Sequence, residues 1–130
     1  MKKLILIFSA LFILSACAHD PGVIIGGKGG FATIVVYPRH HGNTGNLDSC
    51  KVYIKYNTLN APADGLYDDS MACLKADTLQ YCSFAGLKNG NYYFYGTGYD
   101  YSISQKVKGG LPYTVTVQGS QNFNLPVSEN

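Results

Sequence analysis

The chain has 130 residues, a formal net charge of +2, 15 glycines, 11 tyrosines and no tryptophan. Lys2 and Lys3 account for all of that charge. From Cys17 onward eight basic side chains balance eight acidic ones with no basic run. This argues against a nucleic-acid partner, which requires a positive patch that displaces counterions.

Met1-Lys2-Lys3 is a basic start, and residues 4–14 form an apolar segment of eleven residues. A signal peptide carries about 7–15 apolar residues at this point, whereas a membrane-spanning helix needs roughly 20. Leu14-Ser15-Ala16-Cys17 then looks like a bacterial lipobox. The expectation is a signal peptide over 1–16, cleavage before Cys17, and palmitate-class acyl chains on Cys17. Each buried methylene contributes about 0.8 kcal/mol, so two or more chains hold a protein stably in a membrane. Ala18 stands where an Asp would retain such a lipoprotein in the inner membrane, which points to the outer membrane of the cell envelope. Residues 17–30 read as the lipidated cysteine and a Gly-rich tether, and 31–130 as one domain. Gly22-x4-Gly27-Lys28 approaches a phosphate-binding loop, but Gly29 follows where a hydroxyl residue belongs, and no strand–helix context surrounds it.

After residue 30 the apolar period is two. Residues 31–37 are β-branched and apolar on both faces. Residues 51–56 alternate, with Val52, Ile54 and Tyr56 inward. Residues 57–65 read as a loop, 71–74 and 80–84 as short strands, and 86–90 as a turn. Residues 92–97 form an aromatic strand. Strands are expected over 102–108 and 113–117, separated by Gly109-Gly110 and Pro112. A last strand spans 122–127, and Pro126 marks it as an edge because proline lacks an N–H. Seven or eight short strands at such spacing predict an all-β, antiparallel Ig-like sandwich.

Phe84-Ala85-Gly86-Leu87-Lys88-Asn89-Gly90-Asn91-Tyr92-Tyr93 resembles the F-x-x-L-x-x-G-x-Y signature of transthyretin-like domains, also called carboxypeptidase regulatory-like or prealbumin-like. Gly98-Tyr99-Asp100, Val107 with Gly109-Gly110, and Leu125-Pro126-Val127 extend the likeness to small lipoproteins built on one such domain. The resemblance implies a transthyretin-like sandwich in which Phe84 and Leu87 pack inward, Gly90 takes a positive-φ turn, and Tyr92 opens the next strand.

With Cys17 assigned to the anchor, Cys50, Cys73 and Cys82 remain, and an exported chain favours disulfides. A hairpin of 71–75 against 80–84, with Asp77-Thr78 at its tip, sets Cys73 opposite Cys82 and Met71 opposite Phe84. A non-hydrogen-bonded pair of this kind has Cα atoms about 4.5 Å apart, and disulfides tolerate about 4.4–6.8 Å. The expected Cys73–Cys82 bridge would stabilise by roughly 2–3 kcal/mol. Pairing through Cys50, or three buried thiols, are the alternatives.

Three groups of side chains are candidates for chemistry or binding. His40-His41 reads as an exposed loop or a metal site: adjacent strand residues face opposite ways, whereas in a loop both rings could reach one ion. Asp64, Asp68 and Asp69 read as turn residues or Ca²⁺ ligands, without EF-hand spacing. Tyr93, Tyr95, Tyr99 and Tyr101 are the candidate ligand-binding residues, because a strand aromatic on both faces must leave some rings outside. Cross-strand pairing accounts for the same rings. No Gly-x-Ser-x-Gly or His-Glu-x-x-His motif occurs, and no cofactor is indicated. The expectation is a non-enzymatic envelope module serving binding, adhesion or an accessory structural role through an envelope protein or a glycan. A glycan-binding domain using the tyrosines is the first alternative, and a small metal or redox protein using His40, His41 and Cys50 the second.

Overall fold

The computed structural model describes residues 25–42 and 47–129. The expected signal peptide, Cys17 and the first part of the expected tether lie outside these residues. Eight strands follow one another: β1 (Lys28–His40), β2 (Leu47–Tyr56), β3 (Asp69–Ala72), β4 (Leu74–Ala76), β5 (Leu79–Leu87), β6 (Gly90–Asp100), β7 (Gln105–Val115) and β8 (Ser120–Glu129). None of the described residues forms a helix long and apolar enough to cross a membrane.

The all-β class holds, but two separate antiparallel sheets do not form. The strands make one sheet in the order β3-β2-β6-β7-β8-β1-β5-β4, and it nearly closes into a barrel. The terminal strands β3 and β4 are consecutive in the chain, joined by Cys73. Cys73 N–H donates to the Cys50 carbonyl at 2.8 Å, so one short segment pairs with β2 on one side and β5 on the other. β1 and β8 pair in parallel over eight residues, from Thr33↔Ser120 to His40↔Val127. The strand with Pro126 is therefore interior. Its pairing with β7 is confined to Val107↔Glu129 and Lys108↔Ser128, so Pro126 falls where that ladder has ended and its missing N–H leaves no gap. Beyond that point Tyr113 stacks on Phe123 at 4.8 Å, and Phe94 meets Phe123 edge-on at 5.1 Å. Side chains replace the ladder there.

Gly109-Gly110 and Pro112 do not divide two strands. β7 runs through them. A β-carbon on Gly109 would collide with the Pro126 carbonyl, and one on Gly110 with the Tyr93 ring, so the glycines allow close approach within a strand. Residues 102–104 form a turn instead. The end of the expected tether is also ordered. Residues 28–30 open β1, Gly27 accepts from Lys88 N–H at 2.8 Å, and Lys28 Nζ donates to Ala85 O at 2.9 Å. Of the phosphate-loop-like stretch, residues 22–24 lie outside the described residues, and Lys28 stands at the start of β1.

Alternation places Ala32, Ile34, Val36, Val52, Ile54, Phe84, Leu87, Tyr92, Phe94, Val115 and Leu125 in the main core. Such burial is the dominant stabilising effect, about 25 cal/mol per Å² of apolar surface. Phe84 and Leu87 are inward, and Gly90 has φ 152, as the motif implies. A smaller cluster of Leu47, Cys50, Val107 and Val127 closes one end.

Candidate functional site

Two ends of the barrel are plugged by buried polar side chains, and one outer face carries tyrosines. At the first end, Tyr92 points inward from β6. Its hydroxyl accepts from Gly27 N–H at 2.8 Å and donates to Lys88 O at 2.7 Å. This satisfies backbone groups of two loops, as burial demands.

At the opposite end, His40 is only 3% exposed. Its Nδ1–H donates to Asp100 Oδ2 at 2.6 Å and its Nε2–H to Glu129 Oε2 at 2.5 Å. The three residues come from the C-terminal ends of β1, β6 and β8. When both carboxylates are ionised they only accept, so both ring nitrogens then carry protons and the ring is an imidazolium. The Asp100 hydrogen bond, with help from Glu129, raises the His40 pKa above 6.5 against the opposing effect of burial. Asp100 is held down to about 2, first by the Ser102 hydroxyl and then by His40. Glu129 is lowered by its own backbone N–H and by His40. His41 follows in a left-handed backbone conformation, φ 48. Its ring lies 4.1 Å from that of His40, and its Nε2 is 3.7 Å from Glu129 Oε1. Among the described residues, His40, His41 and Glu129 form the one group of three whose ligating atoms lie within 4.8 Å of each other.

The three cysteines meet near the same end. Cys73 packs against the cluster that holds Cys82 and against the one that holds Cys50. Contact with those two thiols, followed by burial, pushes the Cys73 pKa up, while the Cys73 hydrogen bond lowers that of Cys50. Cys82 Sγ–H donates to Met71 O at 3.3 Å. All three are free cysteines in this structure. The expected register is present in Leu74↔Tyr81, Lys75↔Gln80 and Ala76↔Leu79. It stops at Cys73 because that residue turns toward β2. For the same reason Met71 pairs with Val52 rather than Phe84.

On the outside of β2 and β6, Tyr53 pairs directly with Tyr95, and Tyr67 from the following loop joins them. Ring centroids are 6.2 Å apart for Tyr53–Tyr95, 5.4 Å for Tyr53–Tyr67 and 5.8 Å for Tyr67–Tyr95. Lys51 Nζ sits 5.0 Å over the Tyr53 ring. A cleft of about 420 Å³ adjoins, lined by Tyr53, Leu66, Tyr67, Asp68, Asp69 and Ser70. Tyr93 lies on this face too, across Gly110. Tyr99 and Tyr101 form a separate edge-on pair at 5.4 Å, and Tyr101 donates to Asp48. The tyrosines expected to act as one group are thus divided.

The aspartates do not converge on an ion. Asp64 accepts from Leu66 N–H, Asp68 from Tyr56 N–H, and Asp69 from Ser70 N–H. Asp100 and Glu129 escape sequence reasoning because they stand 60 and 89 positions from His40, too far for any motif. Tyr53 and Tyr67 are missed because only the register of β2 and β6 brings them to Tyr95. Comparison with protein-family models, with curated proteins and with solved structures finds no match.

Proposed function

We propose that the chain is a lipid-anchored module of the bacterial cell envelope that works by binding rather than catalysis, with the Tyr53, Tyr67 and Tyr95 face as its recognition surface. The observation that carries this reading is the uneven distribution of aromatic rings. The outer side of β2 and β6 concentrates three interlocked tyrosines, whereas the outer side of β1 and β5 carries the single pair Tyr37–Tyr81 at 6.5 Å and β8 presents Asn122 and Asn124. Tyrosine offers a rigid ring and a hydroxyl at small entropic cost, which suits recognition. The lipobox supports an anchor at Cys17 and an outer-membrane address. Cys73, flanked by two thiols, supports a Cys73–Cys82 disulfide in an oxidising envelope, and non-reducing peptide mapping that joined Cys50 instead would correct it.

Two measurements test the reading. Cys17→Ser should move the protein from the membrane fraction to the soluble fraction, and retention in the membrane would refute the anchor. A photo-crosslinking residue at position 67 should capture one envelope component in intact cells, and the Tyr53→Ser/Tyr95→Ser variant should lose it with its circular dichroism unchanged. No specific adduct, or an adduct indifferent to those substitutions, would remove the tyrosine face from consideration. Glycan binding is the second reading, favoured by the cleft that sets tyrosine rings beside Ser70 and two carboxylates. A glycan array with wild type and the same double variant decides it.

A further inference from the structure

His40 closes β1 with its side chain inward. In a continuing strand His41 would face the opposite way. The chain instead takes φ 48 at His41, and both rings come to one side, 4.1 Å apart. Left-handed conformations are uncommon outside glycine, although histidine is among the residues enriched there. Glu129 arrives from β8 and reaches both rings.

We propose that His40 Nε2, the His41 imidazole and the Glu129 carboxylate bind one divalent transition-metal ion of the zinc and copper class, with Asp100 as the positioning residue for His40. Two imidazoles and one carboxylate suit these ions, whereas Ca²⁺ and Mg²⁺ take oxygen ligands. Asp100 stands on the far side of the His40 ring and accepts from Nδ1–H at 2.6 Å. That leaves Nε2 as the ligating atom, the arrangement by which carboxylates orient ligating histidines. Bond lengths of about 2.0–2.2 Å put tetrahedral ligand atoms about 3.4 Å apart. The 3.7 Å separation of His41 Nε2 and Glu129 Oε1 already suits this. The 2.5 Å contact of His40 Nε2 with Glu129 must open by about 1 Å as the ion replaces the shared proton. Glu129 is the group that moves, since its side chain is 42% exposed and that of His40 is buried against Asp100. His41, 75% exposed, supplies the outer side, and the fourth position faces solvent.

The test uses the full chain extracted from membranes in detergent, stripped with a chelator and titrated with Zn²⁺. Co²⁺ serves as the spectroscopic probe. One Zn²⁺ should bind. His41→Asn keeps a residue tolerant of positive φ, and it and Glu129→Gln should each weaken binding at least tenfold. Asp100→Asn should weaken it about 10–100-fold. Both ligand variants change exposed side chains, and circular dichroism checks their fold. The Co²⁺ form should show tetrahedral visible bands without the near-ultraviolet charge-transfer band of a thiolate. Three results would each overturn the site: no binding, binding indifferent to both ligand variants, or a thiolate band placing the ion on the cysteines.

Discussion

The two ends of the barrel solve one physical problem with different chemistry. At the first, Tyr92 satisfies the loop groups of Gly27 and Lys88 with a neutral phenol. At the second, His40 ties Asp100 and Glu129 together with charge. A neutral plug is indifferent to proton and metal activity over ordinary conditions. A charged one responds to both, because each partner is held by the protonation state of the other. Structural closure and chemical responsiveness are thus separated along the barrel axis.

The comparison is broken most severely by His40→Ala, which leaves Asp100 buried without its imidazolium. Removing one member of a buried ion pair is strongly destabilising, so the urea midpoint should fall further than for any change at the other end. Tyr92→Phe comes next. It deletes one hydroxyl and strands a buried N–H and a carbonyl, at about 1–3 kcal/mol, read from the same denaturation curves. A shift of less than about 0.5 kcal/mol would mean that the loops satisfy these groups by other means.

Titration of chelator-treated protein sharpens the contrast. The raised pKa of His40 makes its contribution fully present below 6.5 and lost as pH rises through the raised value. The Asp100 contribution is present above 3.8 and lost as pH falls toward about 2. Tyr92, raised above 10 by burial, loses its share only above pH 10. Melting temperature should therefore decline above neutrality in wild type, and His40→Ala should flatten that decline. An equal slope in the variant would place the titration elsewhere. The smallest effect is expected for Glu129→Gln, since a half-exposed partner contributes little. It should lower the melting temperature slightly while leaving Asp100 on His40.

Local features of this fold are written locally in the sequence. Alternation identifies the inward set on β2, and residues 84–93 announce a turn whose Gly90 has positive φ. The register of Leu74–Ala76 against β5 follows from the nearby turn. Closure is written nowhere locally. The parallel β1–β8 pairing joins residues about 87 positions apart. Gly109 and Gly110 look like punctuation because their need for close approach depends on Pro126 and Tyr93, which only the folded sheet brings there. The charged end is illegible for the same reason. Of its four residues only His40-His41 adjoin in sequence, and a strand would have separated even those.

The segment that carries β3, Cys73 and β4 has a consequence for life among other proteins. A sheet with free margins invites foreign strands, and short margins blunt that hazard. Here the two margins are four and three residues long and belong to one continuous stretch. Strand addition from a neighbour therefore has little to grip on β3 and β4 themselves, which favours contacts made by side chains. On the outer side of β2 and β6 those are tyrosines.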